Sequence, residues 1–290
     1  MSIKNRIITL CLVASSMTVI ANYKLQGSFN VQPVELIACG KVIDPPDPYL
    51  YFLIDSILQH GLENEAALYT LLGSIKPVSD LANFHFDNTN GGNVQTRSGI
   101  DYLDRLRTIQ KALNLIQLPD VEVVIRPFQP SRYVPNRRSF KVFAIRISSL
   151  DSLLKAKENF FGQFGFVPGS DPADVVVSIF EHSDRSKQFR GLGYLYGYPD
   201  YAVDFFVEAF KIQESTGQFV ERNFFHIPNY GKSIAFVYAY PKDATPTLVV
   251  DSALYYRANS VLEHYRKIRP AYANDDDTVR AYEMLKDLNR

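Results

Sequence analysis

The order in which helical and strand-like periodicities follow one another is the feature that most constrains the fold of this chain. Apolar residues have helical spacing over residues 48–60, 63–72, 99–116, 150–164, 172–180, 200–212, 252–268 and 277–288. Two-residue alternation or short apolar runs cover residues 76–87, 121–126, 140–147, 223–227 and 233–240. The two patterns do not alternate strictly as β-α-β units. The sequence therefore predicts an α+β fold, with a mainly antiparallel sheet of about five strands packed with multiple helices in a single compact body.

Local signals mark the ends of several of these segments. Asp47 precedes Pro48, and Asp171 precedes Pro172, which is the usual arrangement of an N-cap followed by a proline in the first helical turn. Residues 140–147 are apolar on both faces, so they are expected to form an interior strand. Residues 189–198 resist assignment, because their glycines weaken a helix while their aromatic side chains favour burial.

The N-terminal residues have the pattern of a bacterial-type export signal. Lys4 and Arg6 precede an apolar run over residues 7–20, and Ala21 stands where a signal peptidase cleaves. We therefore expect three parts: a signal peptide over residues 1–21, an extended segment over 22–47 and one α+β domain over 48–290. The expected location is periplasmic or secreted. The alternative is an uncleaved signal that stays as a membrane anchor, although the run is shorter than the roughly 20 residues that span a bilayer.

Charge and cysteine content limit the classes of partner. The chain has 31 basic and 31 acidic residues, so its net charge gives no reason to expect nucleic acid. Cys11 lies in the predicted signal, which leaves Cys39 alone and excludes an internal disulfide in a cleaved chain.

Candidate catalytic residues form two small groups. His85 and Asp87 are two positions apart on a predicted strand, where their side chains share a face and can act as an acid/base pair. Glu181 and His182 lie together where the helix that starts at residue 172 should end. Neither group has the ligand spacing of a metal site, so the sequence predicts no metal and no cofactor.

Candidate binding residues lie in two segments that are rich in aromatic residues. The first is a proline-stiffened basic loop, where arginine forks can bind carboxylates or phosphates; its candidates are Arg132, Arg137 and Arg138. The second is a Tyr/Gly segment over residues 190–201, with the candidates Arg190, Tyr194, Tyr196 and Tyr198. Close packing against the sheet explains this segment without a ligand, whereas a concave aromatic surface would make it a binding site.

Three functional hypotheses follow, and the sequence leaves open whether the protein is an enzyme. The first is an exported protein that binds a small molecule, a glycan or an envelope protein through the Tyr/Gly segment and the basic loop. The second is a periplasmic hydrolase that uses the His/Asp pair. The third is a structural component of the envelope, which would expose a broad apolar patch.

Overall fold

A computed structural model of the chain describes residues 47–87, 97–130, 137–233 and 235–289. These residues form one compact α+β body with two antiparallel sheets, which confirms the predicted fold class. The predicted signal, the extended segment up to residue 46 and Arg132 lie outside the described residues.

Helices dominate the described part of the chain. They are α1 (Pro48–Asn64), α2 (Leu68–Leu71), α3 (Arg97–Leu113), α4 (Ile147–Ala156), α5 (Glu158–Phe161), α6 (Pro172–Phe180), α7 (Arg185–Leu195), α8 (Asp200–Thr216), α9 (Ala253–Ile268) and α10 (Ala281–Leu288). The strands are β1 (Val78–Asp87), β2 (Val121–Pro130), β3 (Arg137–Arg146), β4 (Arg222–His226) and β5 (Val237–Pro241).

The larger sheet has the order β1-β3-β2, and β3 separates two hydrophobic cores. Phe140 and Val142 belong to the core that also contains side chains of α1, α9 and α10. Phe143 and Ile145, on the opposite face, belong to the core formed with α4, α6 and α7. Burial on both faces explains why this segment is apolar throughout, and it confirms the predicted interior strand.

The predicted caps are formed as expected. The Asp47 carboxylate accepts a hydrogen bond from the backbone N–H of Tyr49 (2.9 Å), and the Asp171 carboxylate accepts one from that of Asp174 (3.0 Å). Both contacts satisfy N–H groups of a first helical turn, which have no partner within the helix.

Helix α7 covers most of the segment that the sequence left unassigned, and its glycines explain how. A Cβ atom at Gly193 would lie 2.7 Å from Cγ2 of Val203 on α8, closer than real Cβ contacts allow. A larger residue would therefore separate α7 from α8, and the close packing of the two helices outweighs the low helix propensity of glycine.

The smaller sheet pairs β4 antiparallel with β5. The second of these strands was predicted over residues 233–240, but β5 begins only at Val237, so the loop that joins it to β4 is longer than predicted. This loop packs on the end of α1, where the Gly231 N–H donates to the carbonyl of Glu63 (2.8 Å).

Candidate functional site

The candidate site lies where the chain leaves α7. Tyr196 and Tyr198 form a wall that is shared by two cavities, one apolar and one polar. The backbone between them has a left-handed conformation at Gly197 (φ 75°), and a Cβ atom there would lie 2.6 Å from the carbonyl oxygen of Ile75. Glycine at position 197 thus brings both tyrosines close to the segment that leads into β1.

The first cavity, called the aromatic cavity here, has a volume of about 300 Å³ between α7, α8 and the hairpin. Phe206 and Phe224 line it and are 39% and 55% exposed, so the cavity has an accessible aromatic rim. Its remaining lining residues are Phe189, Leu192, Gly193, Tyr196, Tyr198, Ala202, Val203, Val237, Tyr238 and Ala239.

The hydroxyl groups of its three tyrosines differ in their hydrogen bonds. Tyr196 donates to Asp80 (2.8 Å), and the buried Tyr238 donates to Asp251 (2.6 Å). Asp251 also accepts from the Tyr201 hydroxyl (2.6 Å) and so ties the hairpin to α8. The hydroxyl of Tyr198 has no partner among the described residues. One of the three hydroxyls is therefore available to a ligand.

The second cavity, called the polar cavity here, has a volume of about 220 Å³. It is lined by Glu65, Lys76, Asp80, Tyr196, Tyr198 and Ala235. Asp80 accepts from Tyr196 and forms an ion pair with Lys141 (2.9 Å). The Lys76 side chain is only 2% exposed, and its ammonium lies 5.3 Å and 5.0 Å from the ring centres of Tyr196 and Phe236.

Burial shifts the acid–base properties of these groups. It lowers the pKa of Lys76 to about 8, although Asp80 and Glu65 partly oppose the shift. Burial, with a smaller contribution from the charge of Asp80, raises the pKa of Glu65 above its ordinary value and that of Tyr198 to about 12. Such shifts in a cavity are common at functional sites.

The structure divides the predicted Tyr/Gly candidates into two pairs. Tyr196 and Tyr198 line the cavities, whereas Tyr194 is 9% exposed and packs edge-on against Phe160 in the core between the sheet and α4, α6 and α7. Arg190 donates to the Tyr194 hydroxyl (3.1 Å) and forms an ion pair with Asp204. Arg190 and Tyr194 therefore hold α7 in place and are not among the residues that line the aromatic cavity.

Much of the predicted basic loop lies outside the described residues, including Arg132 and the side chain of Arg137. Arg138 is exposed on β3. Further along the sheet, Arg126 is buried against Phe180 and bonds to Glu181, and Arg146 bonds to Asp120 (3.1 Å). These two arginines are occupied in internal contacts.

The predicted hydrolase residues whose side chains are described have other surroundings and other hydrogen-bond partners. His85 is exposed on β1, and the side chain of Asp87 lies outside the described part. Glu181 bonds to Arg126 (2.9 Å), and the ring of His182 accepts from the Asp184 N–H (3.0 Å). Within the described residues, no hydrogen bond or ion pair joins His85 to Glu181 or His182.

The sequence analysis missed Glu65, Lys76 and Asp80. Lys76 stands at the start of a predicted strand, and nothing near it in the sequence indicates burial. Its surroundings come from Tyr196 and Phe236, more than a hundred positions away along the chain. A lone polar residue beside a strand gives no local signal of such a contact.

Two properties of the described part of the chain bear on the site. No group of three or more His, Cys, Asp or Glu residues in it could hold a metal ion. Among the helices described there, none combines the length and the apolar character needed to cross a membrane.

Comparison with known proteins finds no match to a protein family, to a curated protein or to a solved structure. The chemistry of the two cavities is therefore the basis for proposing a function.

Proposed function

We propose that this protein binds a small, largely apolar organic molecule in the aromatic cavity. The observation that carries the proposal is the shared wall of Tyr196 and Tyr198, which places an apolar cavity with an accessible rim beside a polar one. Ligand cavities typically combine apolar and aromatic walls with a few polar groups, and about 300 Å³ is at the lower end of their range. The proposed ligand is accordingly small.

The hydroxyl groups favour an apolar ligand over a glycan. Of the described side chains that line the aromatic cavity, only the three tyrosines carry polar atoms, and two of those hydroxyls already donate to Asp80 and Asp251. A sugar in this cavity would leave most of its own hydroxyls without a hydrogen bond, which costs about 1–3 kcal/mol for each buried group.

Export is part of the same proposal. Lys4, Arg6 and the apolar run over residues 7–20 support a cleaved signal, so the ligand would be met outside the cytoplasm. Mass spectrometry of the protein from periplasmic or culture fractions should give a chain that begins near Asn22. An intact N-terminus in those fractions would refute cleavage and favour the anchor.

Binding can be tested with 4-fluorotoluene, a neutral single-ring probe observed by ¹⁹F NMR. We expect a saturable change in shift or line width with the wild-type protein. Val237→Phe places extra volume in the aromatic cavity and should abolish that change. The matched control is Val167→Phe, at a position that is 52% exposed and outside both cavities, and it should bind as the wild type does.

Circular dichroism checks that both variants are folded. If Val237→Phe is not folded, Leu192→Phe replaces it, because Leu192 also lines the cavity. The proposal is wrong if the wild type shows no saturable binding, or if a folded cavity-filling variant still binds the probe.

A further inference from the structure

Lys76 is only 2% exposed as a residue, and its ammonium group has no ionic partner among the described residues. The main chain of Lys76 is fixed, since its N–H donates to the Tyr69 carbonyl (3.3 Å) and its own carbonyl accepts from the Thr70 hydroxyl (2.9 Å). The side chain lines the polar cavity, where its ammonium forms no hydrogen bond and no ion pair with the described residues. A buried charge is normally paired, so a free one that faces a cavity is a candidate for binding a ligand.

Glu65 presents an available charge of opposite sign in the same cavity. Its carboxylate is partly buried and has no hydrogen bond or ion pair among the described residues. Asp80 differs, because Lys141 and the Tyr196 hydroxyl already bind it. His60, the other titratable group near Glu65, bonds to the carbonyl of Leu81 (2.9 Å).

Among the described residues that line the cavity, the groups without a hydrogen bond or an ion pair are therefore one cation, one anion and the hydroxyl of Tyr198. Lys76 and Glu65 form neither an ion pair nor a hydrogen bond with each other. A simple anion would bind Lys76 but would face the charge of Glu65, and a simple cation would have the converse problem. A ligand that carries both charges neutralises both side chains at once.

We propose that the polar cavity binds the ammonium and carboxylate groups of a free α-amino acid, with Lys76 on the carboxylate and Glu65 on the ammonium. This inference rests on the proposed function, because the apolar side chain of that amino acid would lie against the Tyr196–Tyr198 wall of the aromatic cavity. An aromatic or branched aliphatic side chain fits such a wall.

Three probes that contain the same phenyl ring distinguish the contributions of the two charges to binding. L-phenylalanine carries both charged groups, 3-phenylpropionate carries only the carboxylate and phenethylamine carries only the ammonium. Isothermal titration calorimetry of the full wild-type chain at pH 7 should show L-phenylalanine binding at least about tenfold more tightly than either analogue, as expected when two charged contacts replace one. Equal affinity for all three would overturn the inference.

Two substitutions then assign each charge. Lys76→Met should weaken L-phenylalanine and 3-phenylpropionate about tenfold or more and leave phenethylamine unchanged or tighter. Glu65→Gln should weaken L-phenylalanine and phenethylamine and leave 3-phenylpropionate unchanged or tighter. Lys155→Met and Glu158→Gln, at exposed positions outside the cavity, are the matched controls and should bind all three probes as the wild type does.

The outcomes separate this inference from the proposed function. Binding of 4-fluorotoluene without any preference among the charged probes would overturn the amino-acid inference and leave the proposed function standing. If the two variants weaken the binding of all three probes equally, Lys76 and Glu65 do not recognise the charges of the ligand, and the inference is also wrong. The comparison of probes on the wild type needs no variant, so it decides the question even if Lys76→Met fails to fold.

Discussion

Arg269 and Lys76 are both buried cations, and they differ in what surrounds them. Arg269 is 7% exposed, and its guanidinium bonds to Glu63 (2.7 Å) and Asp277 (2.7 Å). Lys76 is 2% exposed and has two aromatic rings near its ammonium but no ionic partner in the described residues. The carboxylates around a buried cation offset the cost of burying its charge, whereas a buried cation without an acceptor lowers stability unless something else binds it. The comparison identifies Arg269 as structural and Lys76 as available to a ligand.

The largest change in stability is expected when Arg269 is replaced. Arg269→Met leaves the carboxylate of Glu63 largely buried and without a cation, with the Tyr265 hydroxyl (3.0 Å) and the Gln59 amide (3.2 Å) as its side-chain partners among the described residues. Breaking a buried ion pair by removing one member costs about 3–5 kcal/mol, so urea unfolding should show a loss of that order. The matched control, Arg266→Met, removes an exposed i,i+3 pair with Glu263 and should cost less than about 1 kcal/mol. If both variants lost the same small amount of stability, Arg269 would not be a structural cation, and its contrast with Lys76 would be wrong.

The substitution Lys76→Met should change stability in the opposite direction and make the protein more stable. At pH 7 the folded wild type keeps a charge in a buried site, and the pKa of Lys76, lowered from 10.5 to about 8, corresponds to a cost of roughly 3 kcal/mol. We therefore expect Lys76→Met to raise the free energy of unfolding by about 2–3 kcal/mol.

That gain should depend on pH in a defined window. Between about pH 8 and pH 10 the folded protein loses the proton of Lys76, while the unfolded chain still holds it, because its lysine has the ordinary pKa of 10.5. Wild-type stability therefore rises with pH relative to the variant over this range, and the difference between the two is largest below pH 8. Thermal melting at pH 7, 8, 9 and 10 measures it, and a constant difference would contradict the burial of a charged Lys76.

A smaller effect distinguishes the two tyrosines of the shared wall. Tyr196→Phe removes a hydrogen bond to the Asp80 carboxylate and should cost about 1.5 kcal/mol, as expected for a hydrogen bond to a charged group. Tyr198→Phe removes a hydroxyl without a described partner and should change stability by less than about 0.5 kcal/mol. Urea unfolding of both variants makes the comparison, and an equal loss would mean that Tyr198 is also held by the protein.

Features of the fold that depend on residues close together in the sequence could be predicted, whereas features that depend on residues far apart in the sequence could not. The caps at Asp47 and Asp171 depend on residues two or three positions away, and both were predicted. The two-sided burial of β3 is visible in its own composition. Helix α7 was missed, because its glycines are explained only by contact with neighbouring helices, as at Val203.

The candidate site was predicted in part for the same reason. Aromatic residues between glycines drew attention to Tyr196 and Tyr198, but the same reasoning selected Tyr194, which packs in the core. Lys76 gave no signal, because its burial depends on side chains far along the chain. Arg126 and its partner Glu181, which follows the end of α6, are 55 positions apart in the sequence, so no local pattern predicts their contact.

The most direct test of the central claim, that Lys76 and Glu65 are free to bind a ligand, is a crystal structure of the protein soaked with L-phenylalanine. We expect density for the amino acid in the polar cavity, with its carboxylate within hydrogen-bond distance of Lys76 and its ammonium within that distance of Glu65. Ordered water alone between the two side chains, or a direct ion pair between them that closes the cavity, would contradict it.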